Sequence, residues 1–166
     1  MPHAITCVEL LADDWARVRD IRLQSLLDSP HAFGGTYDNE KLFDEQQWRT
    51  EFVKQAFIVA NVDGHDAGIM YVENLDGDFG ATSWVGGCWT DPKFRGAGLM
   101  RTMFNFLDSQ AEARGWFVQG LGVWTDNFSA ISAYEKLGFI AMGDPQPSSR
   151  QSGKFYQRMI RKTISA

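Results

Sequence analysis

At 166 residues, 44% hydrophobic and 22% charged, the chain has material for one packed domain spanning 1–166 and is too short for two ample ones. Its formal net charge of −5 removes the basic footprint that a sequence-independent nucleic-acid binder needs, and suits cationic partners such as amines. No run of about 18 apolar residues is present, and the first ten residues lack a basic stretch followed by a long apolar one. Neither a membrane span nor a signal peptide is therefore read, and a cytoplasmic location is expected.

In chain order, residues 3–10 read as a short strand. Ala12-Asp13-Asp14 opens a helix in which Leu11, Trp15, Val18 and Leu26 share an apolar face, with Leu23 beside it and Arg22 in the same stripe. Arg22 is either a rim arginine paired with a nearby acid or an arginine facing a cleft. Residues 29–40 form a loop marked by Pro30 and Gly34-Gly35. A second helix starts at Asp44, where Gln47 completes capping-box spacing. Residues 57–61 and 67–74, joined by a turn at Asp63-Gly64, read as a hairpin. A turn around Asp76-Gly77-Asp78 then leads to the strand 81–90.

Leu99, Met103, Leu107 and Ala111 recur every four residues in the next helix, closed by Gly115. A strand over 116–124, a short helix with Asp126 or Asn127 near its N-cap and Gly138 at its end, a short strand 139–142, a loop and a last alternating strand 154–163 complete the order βααβββαβαββ. The helix between the strands 81–90 and 116–124 makes those two a parallel pair. A mixed α/β fold is expected, its central sheet mostly antiparallel and flanked by helices. Cys7 and Cys88 lie in separate apolar stretches without metal-ligand spacing, so both are read as buried thiols and no metal is expected.

Between strand and helix stands DPKFRGAGLM, residues 91–100. Backbone N–H groups at a helix N-terminus face the positive end of its dipole, which suits phosphate; Gly96 and Gly98 keep Cβ atoms out of the way, and Arg95 adds charge. No Gly-Lys-Ser/Thr and no GxGxxG follows, so neither a Walker loop nor a dinucleotide fingerprint is present. Taken alone, RGAG serves equally well as a plain strand-to-helix turn.

With NFSAISAYEKLGF some thirty residues downstream, residues 57–139 closely resemble the GCN5-related N-acetyltransferase (GNAT) family. The resemblance implies acetyl-CoA as cosubstrate. Its pyrophosphate would lie on Arg95, Gly96, Ala97, Gly98, Leu99, Met100 and Arg101, and its arm on the backbone of Cys88, Trp89 and Thr90 and on Asn127. Tyr134 would protonate the departing thiolate. Met100 departs from the family pattern, which usually has a small residue there. As readings of the residues themselves, Asn127 is an N-cap and Tyr134 a core aromatic.

The implied reaction is acetyl transfer to a primary amine, expected to be that of a small molecule, by direct attack in a ternary complex. The alternatives are a protein or peptide amine, or a CoA-binding sensor without catalysis. An alkylamine is mostly protonated near neutrality and needs a base. Residues 81–90 hold no carboxylate, so Glu73 is the first candidate and Glu40 the second, each otherwise a solvated surface acid. Phe33, Tyr37, Trp84 and Trp124, with Trp89, would line an acceptor wall, or else fill the core. The resemblance extends to a homodimer as a candidate assembly.

Overall fold

The computed structural model describes residues 4–163. Its elements are β1 (Ile5–Leu10), α1 (Trp15–Asp28), α2 (Tyr37–Glu40), α3 (Glu45–Lys54), β2 (Ala56–Val62), β3 (His65–Asn74), β4 (Ser83–Thr90), α4 (Leu99–Arg114), β5 (Val118–Trp124), α5 (Phe128–Lys136), β6 (Ile140–Ala141), β7 (Gln146–Pro147) and β8 (Phe155–Lys162). Hydrogen bonding orders the strands β1-β2-β3-β4-β5-β8-β6, with β7 also on β8. The expected mixed α/β architecture is present, and β4 with β5 supplies the parallel pair, in register at Ser83–Gln119 and Trp84–Gly120.

Two elements lie inside stretches read as loops. Thr36 accepts the amide of Asn39 through its hydroxyl at 3.3 Å, and that cap allows one helical turn, α2, to form. Gln146 and Pro147 find partners in Tyr156 and Phe155 of β8, a pairing with no local signal. The capping box at α3 is present: Gln47 N–H donates to Asp44 Oδ1 and Gln47 Oε1 accepts from the Asp44 N–H, both at 2.8 Å. The Asp63-Gly64 turn has φ of 51° and 89° at its two residues, the left-handed pair that a two-residue hairpin needs.

Two compact units describe the chain. One comprises the residues up to Glu73 together with Gly87–Phe106, the other Asn74–Gly86 together with the residues from Leu107 onward. In the first, Val18, Ile21 and Leu26 of α1 pack with Phe57 and Val59 of β2, Ile69 of β3 and Trp89 of β4. Leu11, expected on this face, is 67% exposed. Leu11 precedes the 3₁₀ turn Ala12–Asp14 and so lies outside α1, which begins at Trp15 and buries Val18 and Leu26 as expected, with Ile21 and Ser25 beside them.

In the second unit Leu121, Trp116, Phe139 and Met159 are nearly inaccessible. The α4 stripe is as expected, with Leu99 and Met103 buried in the first unit and Leu107 and Ala111 in the second.

The thiols differ from expectation, since Cys7 and Cys88 are both half-buried. Partial burial still lifts the Cys7 thiol to about 11, because a thiolate there loses hydration. Alkylation of Cys7 by iodoacetamide at pH 8 should be about a hundredfold slower than that of a free thiol. Peptide mass spectrometry over a time course checks this, and labelling at the free-thiol rate would refute it.

Candidate active site

The stretch linking β4 to α4 is held from beneath by a buried acid. Asp91 is 3% exposed; its Oδ1 accepts the Lys93 N–H at 3.0 Å, and its Oδ2 meets Gln24 Nε2 at 3.3 Å and His65 Nε2 at 3.4 Å. Beyond it Gly96 and Gly98 adopt φ of 87° and 84°, and an added Cβ at either would meet open space. Backbone conformation, not crowding by the protein, demands glycine at both.

Gly98 brings no side chain to cap α4. Thr102 N–H already donates to the Gly98 carbonyl at 2.9 Å, and helix geometry leaves the N–H groups of Leu99, Met100 and Arg101 without partners in the helix. These groups, with open space around two left-handed glycines, fit a phosphate group of a nucleotide-bearing cosubstrate. Met100 is the second residue of α4 and half-buried, so a large side chain there has not delayed the start of the helix.

Arg95 turns back instead of over the loop. Its Nε donates to the Thr90 carbonyl at 3.2 Å and its Nη2 to Asp28 Oδ2 at 3.2 Å. The same Asp28 oxygen accepts the Trp89 indole N–H at 3.0 Å and the Ser29 hydroxyl at 2.8 Å. The Trp89 bond first, then Ser29 and the Arg95 charge, holds the Asp28 carboxyl below its usual range, so the clasp stays ionised well into acid. The last residue of α1 thus fixes both the end of β4 and the loop arginine. Trp89 is only 3% exposed, so its ring belongs to the core and its backbone alone remains for a ligand.

Just before Cys88, Gly87 has φ +60°, which kinks β4. A Cβ there would lie 3.1 Å from the Tyr71 ring and 3.4 Å from Arg22 Nη1. Arg22 and Glu40 form a bidentate pair, Nε to Oε1 at 2.9 Å and Nη2 to Oε2 at 3.0 Å, with Phe33 5.1 Å beneath the guanidinium. Of the two readings of Arg22, the one that pairs it with a nearby acid is the one observed. Glu40, a candidate base, has both oxygens engaged. Glu73 is half-buried near the end of β3, two residues from Tyr71 and so on the same face of the strand. Phe33 is buried, and Tyr37 packs half-buried against the same apolar cluster.

In the second unit, Asn127 caps α5: its Oδ1 accepts the Ala130 N–H at 3.2 Å, which leaves the amide nitrogen to donate elsewhere. Tyr134 is half-buried on α5, edge-on to Phe139 at 5.7 Å. Trp84 meets Phe79 at 6.0 Å and would contact a side chain at Gly122. Trp124 is buried and its indole N–H has no partner among the described residues. Asp28, Asp91 and Gln24 escaped sequence reasoning, because isolated polar residues far apart in the chain carry no spacing signal.

A glycine-rich helix entry after a kinked strand, in a mostly antiparallel sheet, defines the class: an acyl-CoA-dependent transferase fold. The acetyltransferase (GNAT) family matches residues 15–139, and the chain belongs to that family. It is therefore an N-acetyltransferase that draws its acetyl group from acetyl-CoA.

Solved structures share the fold at low identity. A GNAT-family acetyltransferase from Streptococcus pneumoniae is 16% identical, with TM-score 0.77 over 97% of this chain and 100% of that one. The ribosomal-protein-S18-alanine N-acetyltransferase of Escherichia coli is 18% identical, with TM-score 0.68 over 98% and 96%. Spermidine N-acetyltransferase of Vibrio cholerae, solved with CoA and spermine, is 14% identical, with TM-score 0.71 over 96% and 95%. Among the described residues no helix is long and apolar enough to cross a membrane.

Proposed function

We propose that the protein acetylates the primary amine of a small molecule by direct attack on acetyl-CoA in a ternary complex. The observation that carries this reading is the pair of left-handed glycines, Gly96 and Gly98, before the uncapped start of α4. Acetyl-CoA supplies the activated acyl group. The N–H groups of Gly96 and of 98–101 receive its pyrophosphate, while the Ala97 N–H stays on the Phe94 carbonyl at 3.2 Å, and the backbone of Cys88, Trp89 and Thr90 steadies its arm and the negative charge developing on the carbonyl oxygen. The Asn127 amide nitrogen adds a contact to the arm. Glu73, near the end of β3, accepts the amine proton, and Tyr134 returns a proton to the thiolate. In the first unit, Phe33 and Tyr37 are the side chains offered to the acceptor.

Isothermal titration of acetyl-CoA tests the reading. Wild type should bind saturably. Gly98→Trp, which forces a side chain into a left-handed conformation and fills the open space, should bind about tenfold more weakly or worse. Equal affinity in the two proteins would remove the loop as the site. Arg95→Ala should act more mildly, since that side chain is committed to Asp28 and Thr90.

A further inference from the structure

The Arg22–Glu40 pair is costly as a mere brace. Its side chains are 15% and 13% exposed, and a desolvated ion pair adds little net stability. The protein nevertheless clears space for it twice. A Cβ at Gly35 would overlap the Glu40 carboxylate, and one at Gly87 would crowd Arg22 Nη1 and the Tyr71 ring.

Only Nε and Nη2 are spent on Glu40. Nη1 meets no hydrogen-bond partner among the described residues, yet it is not among the buried atoms left unpaired, so solvent reaches it. A guanidinium has five N–H donors, and those near an apolar wall call for an acceptor. Nη1 faces Gly87, the residue before Cys88, while Glu73 lies on the Tyr71 face of β3.

Resting on the acetyltransferase reading above, we propose that Arg22, oriented by Glu40, selects acceptors that carry a carboxylate close to the amine, the zwitterionic form of an amino acid. The carboxylate accepts an N–H of Nη1, and the ammonium lies toward Glu73, which removes its proton. Nearly neutral overall, the Arg22–Glu40 pair favours such a zwitterion over a polycation, which would meet the guanidinium unpaired. Phe33 beneath the guanidinium holds its plane, so the direction of Nη1 is set before the acceptor arrives.

The test compares α-amino acids with the matching amines that lack the carboxylate, scored as kcat/KM from thiol release. Acetyl-CoA titration is run on every protein preparation. Wild type should favour the amino acid of each productive pair by about tenfold or more, the worth of a charge-assisted hydrogen bond. In Arg22→Lys, which keeps the charge but loses the planar fork, that ratio should fall toward one. Because Arg22→Met alone strands a buried Glu40, the second variant is Arg22→Met with Glu40→Leu, which should also lose the preference.

Amines used as well as amino acids by wild type would overturn the assignment, as would a preference that survives both variants. Saturable acetyl-CoA binding without thiol release from any amino acid would overturn it too, while leaving cosubstrate binding intact. Loss of acetyl-CoA binding in wild type would instead sink the function reading on which the assignment rests.

Discussion

Replacing Tyr134 by Phe should lower kcat about a hundredfold or more while the affinity for acetyl-CoA changes by less than about threefold. The substitution removes one oxygen and nothing else. Tyr134 packs edge-on to Phe139 at 5.7 Å with an interplanar angle of 68°, and a Phe ring keeps that contact. Its backbone is held independently, since the Tyr134 carbonyl accepts both the Leu137 N–H at 3.0 Å and the Phe139 N–H at 3.1 Å. A fall in kcat therefore reports lost proton donation and not a displaced helix. Steady-state thiol release and titration of acetyl-CoA on one preparation separate the two quantities. Unchanged kcat would remove Tyr134 as the acid and leave solvent to protonate the thiolate.

What the sequence disclosed were the features written in local periodicity. The every-fourth-residue stripe from Leu99 to Ala111, the Asp44 capping box and the Asp63-Gly64 turn each depend on neighbours within one or two turns, so spacing alone reveals them. The two glycines of RGAG were legible for a related reason: a left-handed residue before a helix has few substitutes.

Long-range polar pairing was not legible. Arg22 meets Glu40 18 residues away and Arg95 meets Asp28 67 residues away, and neither distance follows from composition. Leu11 was misplaced because a 3₁₀ turn separates it from α1, and a residue outside the helix does not share its apolar face. The aromatics were ambiguous for another reason. Trp89 and Phe33 are both core residues that border polar groups of the first unit, so a single label of core or wall describes neither.

The largest effect on stability is expected at a position with no counterpart in the motifs. Arg161 of β8 is 5% exposed and meets Asp108 of α4 through Nη1 to Oδ1 and Nη2 to Oδ2, each at 2.8 Å. Its Nη1 also donates to Gln119 Oε1 at 2.9 Å, and its Nε to the Leu137 carbonyl at 2.9 Å. Gln119 is fully buried and turns its own amide nitrogen to Asp108 Oδ1 at 3.3 Å. One guanidinium thus ties α4, β5 and β8 to the end of α5, the helix that carries Tyr134.

Asp108→Ala takes the bidentate carboxylate away from that buried guanidinium and should cost about 3–5 kcal/mol, a large part of the 5–15 kcal/mol that holds a domain of this size. Removing both charges, as Asp108→Leu with Arg161→Met, should be far milder, because the desolvation penalty leaves with the pair. Denaturant unfolding followed by tryptophan fluorescence gives both values and, with Arg161→Met alone, the coupling between the two sites. A loss below about 1 kcal/mol in Asp108→Ala would mean that water reaches the guanidinium and replaces the carboxylate. If the network also sets the last turn of α5, Asp108→Ala should lower kcat at temperatures where the protein is still folded, since the Leu137 carbonyl and Tyr134 belong to that same turn.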